Sequence, residues 1–121
     1  MIERHETGRI QCNALGEATI ILEEITGKII KIKIEYGTTE PETSITITTS
    51  EEEKIEYYQN NEDFIDYPRN PINAGKFFKL RFGEETSMQT EHYYNNGDLT
   101  IKIENAGENK TLNNITIITE Q

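Results

Sequence analysis

The chain has 121 residues, of which 34% are hydrophobic, and 22 acidic side chains stand against 12 basic ones for a formal net charge of −10. That length holds one domain with a modest core. The acidity excludes the basic stripe that a nucleic-acid or anionic-membrane partner requires.

Low hydrophobicity with high net charge is the composition of disordered chains, yet the apolar residues here are ordered along the sequence. Met1 to Gly16 is weakly patterned, and both an edge strand and an arm reaching a neighbouring subunit fit it. Glu17 to Glu23 (EATIILE) predicts the first strand, and Ile25 to Lys28 predicts a turn with Gly27 free to take positive φ. From Lys28 to Tyr36, Ile30, Ile32, Ile34 and Tyr36 alternate with Lys31, Lys33 and Glu35. From Ser44 to Thr49, Ile45 and Ile47 alternate with Ser44, Thr46 and Thr48. A period of two sends alternate side chains to opposite faces of a sheet, so both runs read as half-buried strands. Between them Gly37 to Thr43 carries Pro41 and is too long for a two-residue hairpin, so it reads as a crossing between sheets.

Lys54 to Gln59 alternates again after the charged turn Ser50 to Glu53. Asn60 to Gly75, with two prolines and four asparagines, reads as a long loop anchored by Phe64, Ile65, Tyr67 and Ile72. Lys76 to Phe82 predicts a strand, Gln89 to Tyr94 a weaker one, and Asn95-Asn96-Gly97-Asp98 a hairpin. Leu99 to Glu104 and Leu112 to Thr119 complete about eight strands without a helical period. The expected fold is all-β: a single antiparallel β-sandwich over residues 17–121, Ig-like or jelly-roll-like, with residues 1–16 as its arm or edge strand.

No apolar run approaches the roughly 18 residues of a membrane-spanning helix. The N-terminus MIERHETGRIQ lacks the apolar centre of a secretory signal, and Cys12 is alone, so no internal disulfide is expected. This suits synthesis in a reducing cytoplasm.

Catalytic patterns are missing from the sequence. A zinc site needs convergent ligands, but His5, His92 and Cys12 are scattered. Cys12 has no indicated base, and neither a G-x-S-x-G elbow nor a Gly-rich phosphate loop occurs. Glu62, Asp63 and Asp66 offer oxygen ligands without the spacing of a calcium loop. The chain is therefore expected to be no enzyme and to use no metal or cofactor.

Two distributions point instead to partners. Every aromatic residue except Tyr36 lies between Tyr57 and Tyr94, which would suit a carbohydrate-binding module with Tyr58, Tyr67 and Tyr93 as its platform. Arg69, Lys76, Lys79 and Arg81 form a basic segment in an acidic chain, a segregation that orients packing against an acidic surface. Together with Tyr67 and the cations Arg4 and Arg9 of the N-terminal segment, they are the candidate partner contacts.

Several short features occur in a particular order. Glu35-Tyr36 ends a strand, and the proline-bearing connector Gly37 to Thr43 and the Thr-rich run Ile45 to Thr49 follow. Then come Asn60-Asn61, Tyr67-Pro68-Arg69 and a Gly-Asp-Leu-Thr-Ile strand near the end. In that order the chain resembles, over roughly Gly16 to Thr119, small phage-associated virion structural proteins of the head-decoration or minor-capsid kind. It departs from them in carrying Ile, Lys, Glu and Asn where they carry Val, Thr, Gly and Ala. The resemblance implies a capsid decoration or cement subunit without catalysis, made in the host cytoplasm and displayed on the capsid. Its implied partners are the major capsid protein and its own copies, as a trimer. Another virion role, in tail, neck or head fibre, shares the same composition.

Overall fold

The computed structural model describes residues 1–58, 62–71 and 90–121. They form β1 (Ile2–Glu6), β2 (Ile10–Gln11), β3 (Ala18–Tyr36), β4 (Ser44–Thr48), β5 (Lys54–Tyr57), β6 (Phe64–Asp66), β7 (Asn70–Pro71), β8 (Thr90–Glu91), β9 (Tyr93–Glu104) and β10 (Thr111–Glu120). Every ladder is antiparallel, and no helix occurs among the described residues.

The fold is an antiparallel β-sandwich built around β3. Its first part, up to Ile29, pairs with β9, which pairs with β4 and then β5. Its last part, Lys28 to Tyr36, pairs with β10 on one side and, at Ile32 to Ile34, with β6 on the other. One strand thus belongs to both layers: β5-β4-β9-β3 in the first sheet, β6-β3-β10-β1 in the second. The layers close on Ile45, Ile47, Leu99, Ile101 and Ile103 from one side and Ile32, Ile34, Ile115 and Ile117 from the other, all fully buried. Burying each such side chain stabilises the fold by about 1.5–3 kcal/mol relative to leaving it exposed. Isoleucine dominates because a β-branched side chain is stiff and fits a pleated surface.

The two predicted turns are not turns. Ile25-Thr26-Gly27 pairs with Asn95-Asn96-Gly97 inside a continuous β3/β9 ribbon. The register jumps from Leu22↔Leu99 to Ile25↔Gly97, so Glu23 and Glu24 oppose Asp98 alone. This bulge takes up the positive φ of Glu24 (56°) and bends the ribbon. The fully buried Asn95 secures it: its Nδ2 donates to the carbonyls of Ile25 (2.7 Å) and Gly97 (3.0 Å), and its Oδ1 accepts the Ser50 N–H (2.7 Å). Both turn signals flank this one bulge, where Gly27 (132°) and Gly97 (139°) take positive φ as they would in a turn.

Gly27, at φ 132°, lets the end of β10 approach, since a Cβ there would lie 2.9 Å from the Glu120 carbonyl oxygen. A second irregularity, between Ile29 and Lys31 against β10, shifts the inward phase. Ile29 is therefore the core residue at the change of sheets, and Ile30 is only half-buried.

The Gly37–Thr43 connector passes from the second sheet to the first, tied by Thr38 N to the Thr111 carbonyl (2.9 Å) and Glu40 N to the Ala106 carbonyl (3.0 Å). The predicted long loop contains β6, which pairs with β3, and β7, which pairs with β8. Phe64 on β6 stacks on Tyr36 (6.2 Å) and meets Tyr57 edge-on (5.2 Å), which gives this short segment its place. Asn60, Asn61 and residues 72–75 of that loop lie outside the described residues, as does the predicted strand Lys76 to Phe82. At the N-terminus β1 pairs with β10 as an edge strand, while Ile10 and Cys12 enter the core.

Candidate functional site

The candidate partner contacts fall into separate groups. Arg4 is exposed on β1, where its Nη2 lies 2.8 Å from Glu6 Oε1, and this guanidinium holds the Glu6 carboxyl below the usual carboxylate range. Arg9 is exposed between β1 and β2. Tyr67, 64% exposed, follows β6, and Pro68 behind it is buried. Arg69 is exposed and tethered to β8: Nε donates to Thr90 Oγ1 (3.1 Å) and Nη2 to the Thr90 carbonyl (3.0 Å). Its Nη1 lies 2.9 Å from His92 Nε2. β1 and β6 occupy opposite edges of the second sheet, with β10 and β3 between them, and Arg4 lines a cleft across that face with Ile65 of β6. Lys76, Lys79 and Arg81 lie outside the described residues.

The residues with chemical potential are spent on structure. Cys12 is buried, and burial pushes its thiol up. Asp63 Oδ1 accepts the Tyr36 N–H (2.8 Å), and Asp66 Oδ2 accepts the Tyr57 hydroxyl (2.8 Å). His5 Nε2 sits 3.0 Å from Thr119 Oγ1. Among the described residues no three His, Cys, Asp or Glu side chains converge as a metal site. The guanidinium beside His92 Nε2 assigns the ring proton to Nδ1, which is buried without a partner among the described residues.

The three tyrosines of the expected aromatic platform differ in exposure. Tyr93 is half-buried against the core, Tyr67 (64% exposed) follows β6, and Tyr58 stands at the end of β5 with 59% of its surface exposed. Tyr58 borders a trough of about 670 Å³ on the outer face of the first sheet. Ser44, Thr46 and Thr48 of β4 run along it, between Lys54 and Glu56 of β5 and Thr100, Lys102 and Glu104 of β9; Glu42 and Asn105 close one end. The ladders explain the gathering: Thr46 is paired with both Glu56 and Lys102, and Thr48 with both Lys54 and Thr100. The Tyr58 hydroxyl donates to Glu56 Oε2 (2.8 Å), and Lys102 Nζ lies 3.9 Å from Glu104 Oε1. The carboxylate beside it raises the Tyr58 phenol above its ordinary value. In sequence these residues are the polar halves of three alternating strands. Only the strand order, β5-β4-β9, makes them neighbours.

No family model matches the chain, and no curated protein does. Among solved structures it is similar to the serine protease of Aeromonas sobria in complex with the chaperone ORF2, at a TM-score of 0.47 and 5% identity, over 100% of this chain and 26% of that one. It is similar also to the exo-β-1,3-galactanase of Phanerochaete chrysosporium with galactose (TM-score 0.44, 10% identity, 97% of this chain and 29% of that one). A third is PliG of Aeromonas hydrophila, a periplasmic inhibitor of g-type lysozyme (TM-score 0.39, 8% identity, 99% and 86%). The chain spans under a third of the length of the first two. Likeness at these scores carries no argument about activity.

Proposed function

We propose that this chain is a virion structural protein: a capsid decoration subunit that binds the outer surface of a viral capsid and stabilises it without catalysis. The observation that supports the reading is where the features of the resemblance lie in the fold. Glu35-Tyr36 ends β3, where the Tyr36 N–H donates to Asp63 Oδ1 and the Tyr36 ring stacks on Phe64. The connector after it crosses between sheets, and Tyr67-Pro68-Arg69 leaves β6 to lock onto Thr90 and His92. β6 is thus fixed against the second sheet by pairing with β3 and by the Tyr36–Asp63 bond, and against the first by Tyr57, which meets Phe64 and donates to Asp66. A decoration subunit needs a small rigid frame of this kind, with exposed edges for the shell and for its own copies. The acidic exterior keeps a densely displayed array soluble.

The test is attachment to capsids of its own virus stripped of this protein. The full chain should co-sediment with them to a fixed saturating copy number and have the mass of three chains in solution. Arg4→Glu with Arg9→Glu, on one edge, should weaken attachment through lost charge complementarity, while the fold stays intact by circular dichroism. A monomer that leaves capsids untouched overturns the reading.

A further inference from the structure

The trough on the outer face of the first sheet has no part in capsid attachment as read above, and its chemistry selects a different ligand. We propose that it binds a neutral oligosaccharide. Its volume, about 670 Å³, lies in the range of ordinary ligand sites. Along β4 the hydroxyls of Ser44, Thr46 and Thr48 recur every second residue, roughly 6.6 Å apart, and Thr100 adds another on the next strand, about 4.8 Å away. Each hydroxyl both donates and accepts, which is what the repeated hydroxyls of a sugar chain require.

Charge and apolar content exclude the other ligand classes. Three carboxylates (Glu42, Glu56, Glu104) face two ammonium groups (Lys54, Lys102), and Glu56 and Glu104 are already engaged by Tyr58 and Lys102. A nearly balanced surface in a chain of net charge −10 offers little to a polyanion or a polycation. A protein partner needs an apolar centre to bury, and among the described residues no large aliphatic side chain lines this trough. Among the described residues one ring lines it, Tyr58, whose hydroxyl is held on Glu56 before any ligand arrives. One pre-oriented ring beside a grid of hydroxyls, ammonium groups and carboxylates is complementary to a sugar face and its hydroxyl edge.

The full chain would be titrated by calorimetry with hexasaccharides of glucose, mannose, galactose and xylose, and the shifted backbone amides located by NMR. At least one should bind with a Kd below about 1 mM, with shifts confined to β4, β5 and β9. Tyr58→Ala should weaken that binding by about ten-fold at unchanged Tm. Tyr58→Phe, which keeps the ring, should stay within about three-fold of the parent. Tyr67→Ala, equally exposed but outside the trough, should bind normally. Failure of all four sugars at millimolar concentration, or binding that Tyr58→Ala leaves intact, overturns the site. Capsid attachment should be unchanged in Tyr58→Ala, so the two readings fail separately.

Discussion

Two phenols show how single residues hold this fold. Tyr36 is 5% exposed, and burial, with the Asp63 charge nearby, lifts its phenol up to about 12. Burial and the hydrogen bond to Asp66 raise Tyr57 strongly as well. In the unfolded chain both ionise near the ordinary value of 10.0. Above that pH the unfolded state binds fewer protons than the folded one, so stability, complete below about pH 10, falls as pH rises further. Tyr36 alone should remove about 1.4 kcal/mol per pH unit between about 10 and 12. Urea unfolding across this window should show the loss, and Tyr57→Phe should make it shallower. That variant should also lose about 1.5–3 kcal/mol at neutral pH with its bond to the Asp66 carboxylate. Equal alkaline slopes in the two proteins would contradict this account of Tyr57. Neither tyrosine announces its partner in the sequence, because Asp63 and Asp66 look like solvated loop charges until β6 is paired.

At the scale of elements, β3 and the N-terminal strands carry opposite lessons. The alternation of Ile32, Ile34 and Tyr36 could be read directly, and so could that of Ile45 and Ile47. The continuity of β3 through residues 23–27 could not, since a bulge and a turn draw on the same Gly and Asn. The choice between them depends on whether a partner strand lies in register, and β9 is about seventy residues away in sequence. The N-terminal segment divides in two. β1 is an edge whose side chains are exposed or half-buried, whereas Ile10 and Cys12 are almost fully buried. Deleting residues 1–6 should therefore leave a folded protein with lowered Tm. Deleting residues 1–16 should abolish cooperative unfolding, since removing a buried Ile alone costs about 2–5 kcal/mol. Thermal melts followed by circular dichroism distinguish the two, and equal melts for both deletions would contradict the core role of Ile10 and Cys12.

At the scale of the whole molecule, the charge of −10 sits on a frame with a modest core. Like charges on a compact surface repel, and screening acts over about 10 Å at 0.1 M salt. Tm should rise by a few degrees between about 10 mM and about 200 mM sodium chloride. A fall would mean that the ion pairs on the sheet faces, such as Lys33–Glu35 and Lys102–Glu104, outweigh the repulsion.

The sequence by itself determined the class of fold and the inward set of Ile32, Ile34, Tyr36, Ile45 and Ile47, because period-two alternation is a local property that survives without knowing any partner. The same periodicity also named Ser44, Thr46 and Thr48 as outward residues of β4. Only the tertiary structure decided that they share one trough, that Arg4 and Arg69 lie on opposite edges, and that Ile25 to Gly27 continues a strand. Those facts depend on strand order and register, which are set by contacts between residues far apart along the chain.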